Sequence, residues 1–188
     1  MAQQLNRDQI TPMLLKAFRK HGYEGASLSI LSIETGLKRA SLYHHFPGGK
    51  TEMAQATLDL VLSDFTLLVL NPLQNKQHTP KQRLLNVAQG LAKFYANGAN
   101  ACLIDIFSIG NSNQLFQQQL ASCTQNVIDL FTQLAEETGC PQALAQQRGE
   151  DMMVSLQGTL VIARTLGSHE VFERFLEDLP DRILAPHS

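Results

Sequence analysis

Residues 27–50, SLSILSIETGLKRASLYHHFPGGK, constrain the fold of this chain more than any other stretch. Ser27 is a natural N-cap, and the pattern after it predicts a helix over roughly 28–35, ended by Gly36. A second helix is predicted over roughly 39–46, closed by Pro47-Gly48-Gly49. Gly36 permits the left-handed backbone that a sharp turn between two helices requires. Leu28, Leu31, Leu37, Leu42 and Phe46 supply the apolar lock that fixes the crossing of the pair. What remains on the outside of the second helix is Lys38, Arg39, Ala40, Ser41, Tyr43, His44 and His45. Small, polar and cationic side chains beside a helix N-terminus can enter a major groove and approach phosphates. The segment therefore reads as a helix-turn-helix. The alternative is an ordinary helical hairpin with a wetted face; the turn, the Tyr-His pair and the basic bias together weigh against it.

Charge points the same way. Residues 1–50 hold seven Lys/Arg and three acids, a local charge of +4, while the remainder of the chain sums to −6. A basic head on an acidic body suits a protein with one nucleic-acid face, although a clustering of charges can also arise by chance. With 44% hydrophobic and 17% charged residues the composition is that of a globular protein of one or two domains. No apolar run is expected to approach membrane-spanning length, and the start, MAQQLNRDQI, carries no apolar core of a signal peptide. A cytoplasmic protein without a membrane partner is the expectation. Cys102, Cys123 and Cys140 are scattered and odd in number, so neither a disulfide framework nor a zinc site is indicated.

The periodicity is helical nearly throughout, and an all-α architecture of about nine helices is expected. Ile10, Leu14, Ala17, Phe18 and His21 mark one face of an opening helix ended by Gly22. A longer helix from Lys50 to about Leu70 turns Met53, Thr57, Leu60, Val61 and Leu68 inward. Asn71–Pro80, polar and bounded by prolines, is the best junction. The expected division is a head of residues 1–50, a connecting helix over 50–70, and a body of residues 71–188. In the body, Leu84, Val87, Ala88, Leu91 and Tyr95 mark one helix. Phe116, Leu120, Cys123, Val127, Leu130 and Leu134 mark another. A further helix begins with Pro141 in its first turn and runs to about Leu166, and a last one is expected to stop at Pro180.

Residues 7–50 resemble the tetracycline-repressor-like (TetR) family of one-component regulators. The resemblance is carried by the opening helix, Gly22-Tyr23-Glu24-Gly25, and Gly36-Leu37 with Ser41-Leu42-Tyr43-His44-His45-Phe46. The extra glycine in Phe46-Pro47-Gly48-Gly49-Lys50 is similar to the LmrA/YxaF-like subgroup. So, less diagnostically, are Gly158–Leu166 and Val171–Leu179. The resemblance implies a base-reading region at Arg39 and Ala40, with Ser41 on base or backbone. It implies phosphate contacts at Ser27, Tyr43, His45 and Lys50. Lys38 stands where a small capping residue is common, Ile30 and Ile33 stand where polar residues are usual, and Ala26 replaces a usual hydroxyl.

The body carries no catalytic constellation: no phosphate loop, HExxH or GxSxG. His44 and His45 are adjacent on a helix and point in different directions, so no metal and no cofactor are expected. His78, His169 and His187 read as loop or terminal residues. The resemblance implies a ligand chamber and a dimer seam in the body. Candidates for the chamber are Phe94, Cys102, Asp105, Phe107, Phe116, Cys123, Met152, Met153 and Leu156, each of which serves a simple core equally well. Candidates for a four-helix seam are Leu156, Leu160, Ala163 and Arg164 with Val171, Phe172, Phe175 and Leu179, unless these are buried within one subunit. The expected protein is a dimeric repressor of a pseudo-palindromic double-stranded DNA operator. A small, hydrophobic or amphipathic effector would release it. Two rivals are a dimeric DNA binder without an effector and a helical small-molecule enzyme.

Overall fold

A computed structural model of the chain describes residues 5–186; His187 lies outside them. Nine helices account for the fold among the described residues. They are α1 (Arg7–Gly25), α2 (Leu28–Thr35), α3 (Arg39–His45), α4 (Gly49–Gln74), α5 (Pro80–Phe94), α6 (Leu103–Phe107), α7 (Asn111–Glu137), α8 (Gln142–Leu166) and α9 (Glu170–Leu184). The chain divides into two compact units. The first comprises the chain up to Ser63 with Leu103–Gln117, and the second comprises Asp64–Cys102 and the chain from Gln118 onward. The first unit thus takes in residues 103–117, a segment the sequence pattern assigns to the body.

In the first unit, α1 opens with a capping box. Asn6 Oδ1 accepts the Gln9 N–H at 2.9 Å, and Gln9 Oε1 accepts the Asn6 N–H at 3.0 Å. Gly22, at φ +67°, breaks the regular helix where the pattern ends it. Ile10, Leu14, Ala17 and Phe18 are fully buried. Phe18 and Tyr23 meet Phe107 and Phe116 in one aromatic cluster, with ring centroids 5.2–6.1 Å apart. Glu24 accepts the Asn111 N–H at 3.1 Å and so ties the start of α7 to α1.

In the second unit two expectations are corrected, both at prolines. The helix from Lys50 does not end near Leu70. It widens into a π turn at Thr66–Leu70 and continues through Pro72 to Gln74. Proline has no N–H to give the carbonyl four residues back, and its ring clashes with that carbonyl. Here that carbonyl belongs to Leu68, and it lies against Gly90 of α5, where an added Cβ would sit only 1.9 Å from it. The π turn, Pro72 and Gly90 are one solution to one steric problem. Likewise α9 does not stop at Pro180 but continues to Leu184. Leu179, Pro180 and Ile183 are buried, and Arg148 donates to the carbonyls of Ile183 and Ala185 at 2.7 and 2.8 Å. Packing and a bidentate cap outweigh the missing hydrogen bond.

A third correction concerns hydropathy. Among the described residues α4 is long and apolar enough to cross a membrane. Its buried side chains, Met53, Ala54, Thr57, Leu58, Val61, Phe65, Val69, Leu70 and Leu73, are those of a core helix.

Candidate nucleic-acid interface

The lock between α2 and α3 forms as the spacing predicts. Leu31, Leu42 and Phe46 are fully buried, with Leu28 and Leu37 half-buried beside them. Gly36 turns the chain at φ +69°, ψ 8°. Ser32 Oγ donates to the Leu37 carbonyl at 2.5 Å, and Thr35 Oγ1 donates to the Leu31 carbonyl at 2.6 Å. The first bond ties α2 to the turn that follows it, and the second holds the Thr35 hydroxyl against α2's own last turn. The turn is therefore held by side chains as well as by the glycine.

The lock leaves every candidate DNA residue open to solvent. Ser27, Lys38, Arg39, Ala40, Tyr43 and His44 are exposed; Ser41, His45 and Lys50 are half-buried. All nine belong to α3, to its flanks, or to the first residues of α2 and α4. Ser27 Oγ accepts the Ile30 N–H at 3.3 Å as the N-cap of α2, and its own proton is free to donate to a phosphate. Lys38 is the N-cap of α3 without any side-chain cap bond, which leaves its ammonium outside and α3's first N–H groups accessible to an anion. Lys50 Nζ lies 4.3 Å over the Tyr23 ring, and Tyr23 Oη is 3.2 Å from Thr51 Oγ1. Of the substituted positions, Ala26 is buried, Ile30 half-buried, and Ile33 78% exposed.

Two residues missing from the sequence reading support this face. Arg7 at the start of α1 donates to the His45 carbonyl at 3.4 Å, pairs with Glu52 at 2.9 Å, and stacks 4.5 Å over Phe46. Glu52 also accepts the Gly48 N–H at 2.7 Å. One guanidinium thus fastens the end of α3 to the start of α4. A cation at a helix N-terminus, where acids are favoured, is the sequence signal that marks it. Ser29, on the first turn of α2, accepts a hydrogen bond from Arg39 Nη2; no spacing rule flags it. Behind the face, Glu34 binds Lys20 at 2.7 Å and His21 at 2.8 Å. Hydrogen bonds from His21 and then Lys20 lower its carboxyl pKa to about 2.

The body candidates are placed differently. Phe107 and Phe116 are aromatic core of the first unit, and Asp105, half-buried, lies on the short α6 of that unit. Phe94, Cys102, Cys123, Met152, Met153 and Leu156 belong to the second unit. There Cys102 Sγ receives hydrogen bonds from Tyr95 Oη at 3.5 Å and Gln157 Nε2 at 3.4 Å. Burial, and then the charge of Cys102, push the Cys123 thiol pKa up. No group of His, Cys, Asp and Glu suited to a metal ion occurs among the described residues.

Burial divides the seam candidates. Leu156, Leu160, Ala163, Phe172, Phe175 and Leu179 are buried within the chain itself, and only Arg164 and Val171 are half-open. The apolar periodicity of α8 has two sides, and Leu156, Leu160 and Ala163 lie on the inner one. The outer side carries Val154, Val161, Ile162 and Leu166, with Val154 70% and Leu166 66% exposed. Gly158 lies in the same stripe, with open space where a Cβ would stand.

Residues 14–57 match the family model described as bacterial regulatory proteins, tetR family. Over 49 residues the chain is 39% identical to the HTH-type transcriptional regulator LmrA of Bacillus subtilis (strain 168), and the match covers 26% of each protein. Solved structures align over nearly the whole chain. A TetR transcriptional regulator from Legionella pneumophila matches with a TM-score of 0.78 at 18% identity, over 95% of this chain and 98% of that one. The TetR family regulator CifR, a cysteine mutant complexed with 26 bp double-strand operator DNA, matches with a TM-score of 0.70 at 17% identity, over 94% and 95%. At these identities the structural likeness is one of fold. Residues 14–57 thus match the helix-turn-helix domain of the TetR family of bacterial regulatory proteins, and the described chain has the fold of solved TetR regulators.

Proposed function

We propose that this protein is a ligand-responsive transcriptional repressor of the LmrA/YxaF-like subgroup. It binds a pseudo-palindromic operator as a homodimer and is released by a small hydrophobic or amphipathic molecule. The observation that carries the reading is the face around α3, where nine polar, small or cationic residues stay solvent-accessible over a buried Leu31–Leu42–Phe46 lock. Arg39 and Ala40 read base edges, and Ser27, Ser41, Tyr43, His45 and Lys50 meet phosphates, with Lys38 and His44 adding positive charge at the rim. Phosphate contacts fix position and supply salt-dependent affinity; the arginine fork supplies sequence preference. The operator complex of CifR supports the DNA arm of the reading, and the LmrA match supports the subgroup.

The homodimer uses the outer stripe of α8, Val154, Val161, Ile162 and Leu166, together with Arg164 and Val171. Two copies then present two heads to two half-sites. The effector binds in the body, where Phe94, Cys102, Cys123, Met152, Met153 and Leu156 offer an adaptable apolar lining with Gln157 and Tyr95 as polar partners. Its binding favours a head spacing that no longer fits both half-sites, a shift in population between two states. The domain division follows: residues 1–50 read DNA, residues 50–70 connect, and residues 71–188 dimerise and sense.

The test has two stages. Duplexes selected from a random pool by the purified protein give the operator, and a palindromic consensus with one dimer per site is the expected result. A panel of hydrophobic compounds is then screened by thermal shift, and hits are tested for operator release. Failure to enrich any sequence overturns the DNA reading. Indifference of operator binding to every stabilising compound overturns the effector and leaves a dimeric DNA binder.

A further inference from the structure

We propose that Ser29 is a specificity-determining positioning residue: it holds the Arg39 guanidinium in its base-reading orientation before DNA arrives. The proposal rests on the reading of Arg39 as a base contact. Arginine recognises guanine through two parallel N–H donors in a rigid planar fork, so its value depends on the orientation of that plane. A long exposed side chain loses rotamer freedom when it is fixed in one orientation, and that loss weakens binding unless the free protein has already made it. Arg39 is exposed at the first turn of α3, yet its Nη2 donates to Ser29 Oγ on the first turn of α2. Ser29 is half-buried on a helix whose position is set by the Leu31–Leu42 lock and by the Ser32 and Thr35 bonds to the turn. The anchor is therefore rigid relative to α3. One N–H of Nη2 is used by the serine. Nη1, Nε and the second Nη2 hydrogen remain as donors for a base edge.

Another cation of this face makes the contrast. Lys50 rests over the Tyr23 ring, but an ammonium is a point charge whose phosphate contact needs no oriented plane. Loss of a partner to Lys50 would alter affinity for all sequences. Loss of Ser29 acts on the preference at the base pair that Arg39 reads.

The experiment uses the full chain and duplexes selected from a random pool, followed by affinity measurements for every single-base-pair variant of the selected site. Arg39→Ala is expected to flatten preference at one pair per half-site. Ser29→Ala is expected to reduce preference at that same pair by about three- to tenfold, the scale of one net hydrogen bond. It should leave the other positions, the salt slope and the melting temperature unchanged. Ser29→Thr, which keeps the hydroxyl, restores the preference, and the double variant is no worse than Arg39→Ala alone. If Arg39→Ala flattens a position and Ser29→Ala does not, the positioning role is overturned. Equal losses at every position, or a lowered melting temperature, also overturn it, in favour of a structural role. If Arg39→Ala changes no position, the base-reading assignment itself is wrong and the proposal falls with it.

Discussion

The face around α3 and the outer face of α8 are both left open by the fold, and they are opposites. The first is polar and cationic, and its side chains have assigned partners: Arg39 with Ser29, Lys50 with Tyr23, and Arg7 with Glu52 and Phe46. The second is a bare apolar stripe of Val154, Val161, Ile162 and Leu166 around a glycine. Orientation matters for hydrogen-bonding groups, so a reading face is organised in advance. Apolar contact is non-directional, so a seam needs only shape and area. Chemistry is legible on the first face residue by residue, and on the second only as a pattern.

The largest expected effect isolates the body. Gly90→Ala places a methyl group against the Leu68 carbonyl, a backbone atom that cannot swing aside. Such overpacking is expected to cost about 3 kcal/mol, read from the midpoint of denaturant unfolding. Pro72→Ala restores an N–H to the helix and removes the reason for the displaced carbonyl. The double variant should then recover part of the loss. Simple additivity would show that Pro72 and Gly90 are not coupled through Leu68.

The next effect sharpens the contrast of the faces. Val161→Glu with Ile162→Glu places two charges on the α8 stripe without touching the core. The variant should stay folded by circular dichroism, run as a monomer, and lose operator affinity by about a hundredfold, because the second half-site no longer binds as part of one particle. Leu160→Glu, one residue away but on the buried side, should unfold the protein instead. A folded, still dimeric Val161/Ile162 variant would move the seam elsewhere.

Much of the fold was legible because helices announce their buried side by spacing. Ile10, Leu14, Ala17 and Phe18 are all core, as are Leu84, Val87 and Leu91, and the turn at Gly36 lies where its glycine is. Sequence reasoning failed where tertiary contacts override a local rule. Pro72 and Pro180 are breakers by propensity, but Gly90 leaves room for the Leu68 carbonyl and Arg148 caps the end of the helix beyond Pro180. Periodicity also left α8 open, since the helix is apolar on two sides and spacing alone does not say which of them meets the chain's own core. The exposure of the α3 face was legible because the spacing of Leu31, Leu42 and Phe46 fixes which side chains stay outside. Its supports were not, since Ser29 and Arg7 act on residues 10 and 38 positions away.

A smaller effect tests how firmly the reading face is held. Arg7→Ala removes the fastening between α3 and α4 but leaves the buried lock intact. Its ion pair with Glu52 is largely exposed, so the loss of stability should be about 0.5–1 kcal/mol. Operator affinity should fall by more than that stability loss alone suggests, with the sequence preference of Arg39 unchanged. An equal loss of preference at the Arg39 pair would mean that the two ends of α3 are not independently held.

The smallest effect compares the units through acid. Each holds one carboxylate with a depressed pKa: Glu34 in the head, and Glu137 in the body. At Glu137 desolvation acts upward, but the hydrogen bond and charge of Arg83, with help from Lys76, outweigh it. A carboxylate whose folded pKa lies below its unfolded value stabilises the fold fully above the unfolded value, and that contribution disappears as pH falls through the folded one. For Glu34 the window runs from the ordinary value of 4.5 down to about 2. The melting temperature of Glu34→Gln should therefore fall less steeply between these limits than that of the parent, while Glu137→Gln flattens the body's contribution in the same direction. Parallel curves for Glu34→Gln and the parent would mean that the Lys20–Glu34–His21 cluster, although formed, contributes nothing to holding α2 behind the reading face.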